Sequence, residues 1–207
     1  MKMKSIWISW MMLVVSTLAF ADDTPPDALV KANASEVLAI IKKDKDIQAG
    51  NKEKIRELVE AKVLPHFDFT RMTRLAVGRF WRQATPAQQQ ELVNEFRSLL
   101  VRTYSASLTS YKDQKIEYKP LKMAPGATEV VVKTVVLQPG GQPIPIDYGM
   151  EKTPEGWKVY DITVDGVSLV VNYRSSFAQE VQQGGIEQLI RTLHQKNNNG
   201  GLEAKKH

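Results

Sequence analysis

The sequence predicts an α+β protein in which helices pack on one face of a four-stranded, twisted antiparallel sheet. Over residues 27–111 and 173–195, apolar side chains recur at spacings of three and four, which is the period of an amphipathic helix. Between residues 115 and 164 they alternate instead, and turns rich in glycine and proline interrupt them so often that only hairpins fit. Because helices precede and follow one continuous meander, the class is α+β.

Three amphipathic helices are predicted before residue 80. The first follows two prolines and covers Asp27 to Lys43. The second is capped by Asn51, covers Lys52 to Leu64 and ends because Pro65 cannot continue it. Asp68 caps the third, from Phe69 to Val77. All three place apolar side chains on one face, as packing helices do.

The longest helix begins after Thr85 and is predicted to continue to Tyr111. Thr85 is a good N-cap, Pro86 suits the first helical position, and Gln88 completes a capping box. Its apolar stripe lies on one face over some six turns, and consists of Leu92, Phe96, Leu99, Leu100, Tyr104, Leu108 and Tyr111. This face must be buried.

The predicted strands form a meander whose inner surface is apolar, because alternate residues of a strand share a face. They are Ile116–Tyr118, Glu129–Gln138, Ile144–Glu151 and Trp157–Val164. An apolar run, VSLVV, follows at residues 167–171. Two helical segments then carry Tyr173, Phe177 and Val181, and Ile186 to Gln195, separated at Gly184 and Gly185.

Both ends of the chain are predicted to lie outside the single domain at residues 22–195. Residues 1–21 are typical of a secretory signal peptide, with Lys2 and Lys4 before an apolar run and small residues at Ala19 and Ala21. We expect cleavage after Ala21 and export of the protein; an uncleaved anchor is the alternative. Residues 196–207 are polar and are expected to be a disordered tail.

The composition excludes several kinds of chemistry. The chain has no cysteine, so disulfides, thiol nucleophiles and thiolate metal sites are ruled out. Of its three histidines, His66, His194 and His207, none has a companion at metal-ligand spacing, and no metal site is predicted. The net charge is +5, but basic residues are interspersed with acidic ones, so no nucleic-acid surface is indicated.

Two groups of charged residues leave alternatives open. Asp147 and Asp161 lie on neighbouring predicted strands and could act as an acid and base pair, or could simply face solvent. A segment of four arginines and a tryptophan beside Phe80, called the basic segment below, could meet an anionic headgroup or an acidic partner. It could equally form a solvated face with ion pairs. Its members are Arg71, Arg74, Arg79, Trp81 and Arg82.

Four segments together resemble the MlaC family, also called the toluene-tolerance auxiliary family. They are LPHFDFTRMTRLAVGRFWRQATPAQ at residues 64–88, EFRSLLVRTYSASL at 95–108, GWKVYDITVDGVSLVVNYRSSF at 156–177 and GIEQLIRTL at 185–193. The resemblance implies an NTF2-like fold around a lipid pocket and a monomeric periplasmic carrier of phospholipid, with no catalytic residue or cofactor. It also implies two partners, an outer-membrane complex of lipoprotein and porin and an MCE-domain subunit of an inner-membrane ABC transporter.

On this resemblance, one set of apolar residues is expected to line or border the acyl chains, and the basic segment is a candidate rim or partner surface. The expected lipid contacts are Met72, Leu75, Leu100, Tyr104, Leu108, Val132, Val136, Ile146, Tyr148, Val159, Val164, Val167, Leu169 and Val171. Two other classes remain as alternatives: a periplasmic hydrolase or isomerase that uses Asp147 or Asp161 as base, and an adaptor or chaperone without a ligand.

Overall fold

The computed structural model describes residues 24–110 and 114–198. The predicted signal peptide and its cleavage site, as well as Tyr111 and the last nine residues of the chain, lie outside the described residues. Across the two described stretches, no helix is both long enough and apolar enough to span a bilayer. The predicted α+β class is confirmed: along the chain, helices come before and after the strands of one sheet.

The helices precede and follow the strands as predicted, with differences at their ends. They are α1 (Pro26–Lys43), α2 (Lys45–Gln48), α3 (Lys52–Leu58), α4 (Phe69–Val77), α5 (Pro86–Tyr104) and α6 (Arg174–Asn198). Thr85 and Gln88 form the expected capping box at the start of α5. The two predicted C-terminal helices are confirmed: α6 consists of two helices that meet at a kink, where Gly184 and Gly185 leave the helical conformation and Gly185 has a φ of 73°. This element includes residues 196–198, the first three of the predicted tail.

Two predicted helices change their winding before they end. The second continues beyond α3 as a π-helical turn, Val59–Val63, and then a 3-10 turn, Leu64–His66. The longest one leaves the α form after Tyr104 and continues as a 3-10 segment, Ser105–Ser110. The apolar pattern could not signal either change, because a π or a 3-10 turn differs from an α turn by less than one residue, which is too little to detect over such short lengths.

The sheet has five antiparallel strands in sequential order, not the predicted four. They are β1 (Lys115–Tyr118), β2 (Glu129–Leu137), β3 (Ile144–Thr153), β4 (Gly156–Val164) and β5 (Val167–Ser168). The fifth strand pairs only Val167 with Val164 and Ser168 with Thr163, so it is too short to show alternation in the sequence. An irregularity at Gly149/Met150 shifts the register between β3 and β4.

Three clusters of buried apolar side chains stabilise the fold. The helix core joins α4, α5 and α6 around Phe96, which packs edge-on against Tyr173 and Phe177. The sheet core joins the start of α1 to the inner sheet face and contains Val30, Val132, Met150, Trp157 and Val159. The N-terminal core joins α1, α2 and α3 through Val37, Ile41, Ile47, Ile55 and Leu58. Over the described residues, the fold therefore has three separate cores and no single continuous one.

The helical layer is fastened to the sheet by polar contacts next to α4. Phe67 forms a parallel bridge with Val159, and the Asp68 backbone N–H donates to the Val159 carbonyl at 2.9 Å. The Lys158 Nζ donates to the Pro65 carbonyl at 2.7 Å. These contacts fix one end of the space between the helices and the sheet.

Candidate functional site

A cavity of about 350 Å³ lies where the three cores meet. Protein interiors are packed so closely that voids larger than a water molecule are few, so a space of this size is not a packing defect. Its walls are overwhelmingly apolar and are formed by Leu29, Val30, Asn33, Ala34, Val37, Leu38, Val59, Val63, Leu64, His66, Phe67, Phe69, Met72, Leu100, Val101, Tyr104, Ser105, Leu108, Ile116, Tyr148, Met150, Val159, Ile162 and Leu169.

Half of the residues predicted to contact lipid line this cavity. They come from both layers, as expected: Met72 from α4, Leu100 and Tyr104 from α5, Leu108 from the 3-10 segment after it, Tyr148 and Val159 from the sheet, and Leu169 from the segment after β5. Leu169 reaches the cavity because its backbone N–H donates to the Ile162 carbonyl at 2.8 Å.

The other half do not line the cavity, for three different reasons. Leu75 is partly buried against the helix core, and Val132 is fully covered inside the sheet core. Val167 and Val171 are turned to solvent, with 55% and 48% of their surface exposed. The remaining members of the inner sheet face are half-buried beyond the limits of the cavity: Val136, Ile146 and Val164.

Several cavity residues were missed at the sequence level, above all those of α1. Leu29, Asn33 and Ala34 supply one wall, and Val59 and Val63 extend it from the π-helical turn. The spacing of three and four along α1 indicated that this side is covered. It could not indicate that the covering partner leaves a space, because an amphipathic face looks the same in either case.

The predicted rim residues lie elsewhere, and none of the five lines the cavity. Arg71 is engaged inside the fold: its guanidinium pairs with Glu129 and Glu151 and lies 3.7 Å from the centre of the Tyr160 ring. Trp81 packs against the helix core. The other three arginines are exposed, and Arg79 stacks on the neighbouring Phe80 ring. They are Arg74, Arg79 and Arg82.

Two of the residues that line the cavity are tyrosines, Tyr104 and Tyr148. Burial raises the pKa of Tyr148 to about 12, although its hydrogen bond to Thr134 acts in the opposite direction. Burial, together with Tyr173, likewise raises the pKa of Tyr104 to about 12. Both groups are therefore neutral at physiological pH, and the cavity wall carries no tyrosinate charge that an apolar ligand would have to meet.

Alkaline unfolding should report this burial. The unfolded chain ionises its tyrosines near pH 10.0, whereas folded Tyr148 stays protonated until about pH 12. The folded state thus binds more protons between these values, so the free energy of unfolding is unchanged below pH 10 and falls as the pH rises toward 12. We expect Tyr148→Phe to remove about 2 kcal/mol of this loss. Urea midpoints at pH 8 and pH 11.5 measure it, and an equal loss in both proteins would contradict the prediction.

The two candidate catalytic carboxylates lie on the sheet face away from the cavity. Asp161 accepts hydrogen bonds from the Ser168 hydroxyl at 2.6 Å and the Val170 backbone N–H at 3.3 Å, so it holds the turn that places Leu169. Asp147 lies 3.9 Å from the Lys133 ammonium group. Within residues 24–110 and 114–198, no group of three or more potential metal ligands comes together.

The fold and its cavity define an α+β protein with a preformed, apolar ligand pocket between a helical layer and a sheet. Comparison with known families makes this more specific. The model of the MlaC protein family matches residues 31–195, and the chain therefore belongs to the MlaC family.

Individual relatives agree with this assignment. The chain is 27% identical over 169 residues to toluene tolerance protein ttg2D of Pseudomonas putida, a match that covers 81% of this chain and 78% of the relative. It is 23% identical over 185 residues to the intermembrane phospholipid transport system binding protein MlaC of Haemophilus influenzae, covering 88% and 86% of the two chains.

A solved structure shares both fold and sequence. The phospholipid-binding protein from Ralstonia solanacearum, determined in complex with a phospholipid, superimposes with a TM-score of 0.78 and is 43% identical. The match covers 84% of this chain and 97% of that one.

Proposed function

We propose that this protein is a periplasmic phospholipid carrier that holds acyl chains in the cavity between its helices and its sheet. The observation that carries the proposal is an apolar cavity of about 350 Å³ in a chain whose structural relative, 43% identical, holds a phospholipid. The carrier needs no cofactor and acts as an exported monomer, after cleavage behind Ala21. Its lipid contacts are the residues that line the cavity.

The energetics of lipid burial favour transfer between docked proteins over release into water. Two acyl chains contain about thirty methylenes, and burying each is worth roughly 0.8 kcal/mol, or on the order of 20 to 25 kcal/mol in all. This exceeds the practical limit of non-covalent affinity, so chain ordering and cavity opening must offset much of it. A lipid held in this way leaves efficiently only when an acceptor offers a second apolar cavity.

We therefore propose two protein partners, one at each membrane. An outer-membrane complex of lipoprotein and porin exchanges phospholipid with the carrier at one end of its path. An MCE-domain subunit of an inner-membrane ABC transporter does so at the other. Transport of this kind maintains the lipid asymmetry of the outer membrane. Membership of the MlaC family supports this assignment.

Organic extraction of the purified mature protein, followed by lipid mass spectrometry, tests the proposal. We expect intact phospholipid in stoichiometric amount, and its transfer to an isolated MCE-domain protein faster than to buffer or to vesicles alone. Lysolipid or free fatty acid would instead favour a hydrolase, for which Asp147 and Asp161 were the candidate bases. An empty protein that binds no phospholipid from vesicles would favour the adaptor.

A further inference from the structure

One stretch of the chain carries positive charge that no acidic residue within it balances. Residues 69–90 form α4, a 3-10 turn at Gly78–Gln83 and the start of α5. They contain four of the nine arginines of the chain and no lysine, aspartate or glutamate, whereas lysines outnumber arginines elsewhere. Because protein surfaces normally intersperse both signs of charge, a stretch with only one sign indicates that its charge has a use.

Three of these four arginines are available to a partner. Arg71 is already engaged by two glutamates of the sheet. Arg74, Arg79 and Arg82 are exposed, and none of them forms an ion pair with a residue of the two described stretches. We call these three residues the arginine surface.

The backbone brings the arginine surface together. Arg79 and Arg82 are three positions apart in the 3-10 turn, where side chains at this spacing lie above one another, about 6 Å apart along the axis. Arg74 lies in the last turn of α4, and the backbone N–H of Gly78 donates to its carbonyl. Gly78 has a φ of 62°, so the chain can turn there from α4 into the 3-10 turn. The side chain of Arg174 passes next to Gly78 and adds a fourth guanidinium.

The arginine surface has a firm base in the helix core. Phe80 and Trp81 pack against this core, and the Arg79 guanidinium lies 4.8 Å from the centre of the Phe80 ring. The Gln89 side chain of α5 donates to the Trp81 carbonyl at 3.1 Å and so ties the 3-10 turn to the helix that follows it. A partner therefore meets these cations on a support that is already ordered, which lowers the entropy cost of binding.

These features fit an acidic protein better than a membrane. Arginine is enriched and lysine depleted at protein interfaces, and a guanidinium can bind a carboxylate through two parallel hydrogen bonds. A surface that binds by inserting into a membrane exposes apolar side chains beside its cations. Here the neighbouring rings of Phe80 and Trp81 are instead packed against the helix core.

We propose that the arginine surface docks the carrier onto a carboxylate-rich surface of a protein that supplies or receives its lipid. The inference rests on the carrier function and the two partners proposed above. None of the three arginines lines the cavity, so the docking contacts are separate from the lipid contacts. Their charge speeds the encounter with an acidic surface, and their paired hydrogen bonds slow dissociation.

Binding measurements on a variant without these charges test the surface. Wild type and Arg74→Gln/Arg79→Gln/Arg82→Gln are each bound to the MCE-domain protein and to the lipoprotein–porin complex, and biolayer interferometry measures Kd at low and at high ionic strength. We expect the variant to bind at least one partner about tenfold more weakly at low ionic strength and to lose most of the salt dependence. Its co-purified phospholipid should equal that of wild type.

A matched variant controls for net charge. Lys43, Lys45 and Lys122 are exposed at other places on the chain. Lys43→Gln/Lys45→Gln/Lys122→Gln therefore removes the same three charges and should leave both affinities within about twofold of wild type. An equal loss of affinity in this control would show that net charge, and not the arginine surface, directs docking.

The remaining outcomes separate this inference from the proposed function. If the arginine variant binds both partners with wild-type affinity, the inference is refuted while lipid carriage stands. If the variant loses only the ability to bind vesicles of dioleoyl phosphatidylglycerol, the surface serves a membrane and the inference is again refuted. If wild type binds neither partner, the proposed partners fail and the inference fails with them, whereas co-purified phospholipid would still uphold the carrier.

Discussion

We expect Ala34→Trp to reduce the phospholipid bound by the purified protein more than tenfold. Ala34 projects from α1 into the cavity, where an indole would occupy space that acyl methylenes need. Each displaced methylene forfeits roughly 0.8 kcal/mol, so excluding four of them weakens binding by more than a hundredfold. Lipid extraction and mass spectrometry measure the loss, and circular dichroism confirms that the variant is folded.

The same helix offers a matched control for this variant. Ala39 is exposed on α1 and does not line the cavity, so Ala39→Trp makes the same change at the helix surface and should leave bound lipid unchanged. A second pair tests the opposite wall: Leu169 lines the cavity, whereas Val171 is largely exposed. Leu169→Trp should lower lipid loading and Val171→Trp should not. Wild-type loading in both cavity variants would show that the lipid binds elsewhere.

The contrast between Leu169 and Val171 shows that the sequence could not predict which side chains of one apolar run face the cavity. Both belong to one apolar run, and periodicity favoured neither over the other. The distinction arises from a single turn, in which Asp161 binds Ser168 and Val170 and directs Leu169 inward. Such contacts, made by one side chain seven and nine positions along the chain, leave no periodic signal. By contrast, the long helix α5 was predictable from its start, because Thr85 and Gln88 act within one turn.

The existence of the cavity was less predictable than the faces that line it. Val132 and Tyr148 lie directly opposite each other on β2 and β3, on the same sheet face. Alternation therefore treats them alike. In the folded protein Val132 is completely buried by neighbouring side chains, whereas Tyr148 borders the cavity. Burial follows from one strand's pattern, but a gap depends on how closely the helices of three separate cores approach the sheet.

Arg71 is the clearest case in which the sequence suggested a surface role and the fold gives a structural one. Glu129 and Glu151 lie opposite each other on β2 and β3, where two like charges repel. Arg71 of α4 pairs with both, at 2.8 Å from Glu129, and stacks on Tyr160. Its side chain is only 15% exposed and that of Glu151 only 20%. The guanidinium thus joins the helical layer to two strands at once.

We expect Arg71→Met to lower the free energy of unfolding by about 2 to 3 kcal/mol. Removing one partner of a largely buried ion pair leaves the other charge without compensation, which costs 3–5 kcal/mol when burial is complete and somewhat less here. Methionine keeps the apolar part of the contact with Tyr160, so the loss reports mainly the charge. Urea unfolding at neutral pH measures it.

Two further variants separate this charge effect from a general loss of packing. Adding Glu151→Gln to Arg71→Met removes the carboxylate that the first change leaves without a partner. The second change should therefore restore about half of the lost stability. Arg56 of α3 pairs at the surface with Glu53 and with Glu60 of the π-helical turn, so Arg56→Met should cost less than about 1 kcal/mol. If Arg71→Met costs no more than Arg56→Met, then Arg71 does not clamp the helices to the sheet. The two facing glutamates would in that case be stabilised by solvent alone.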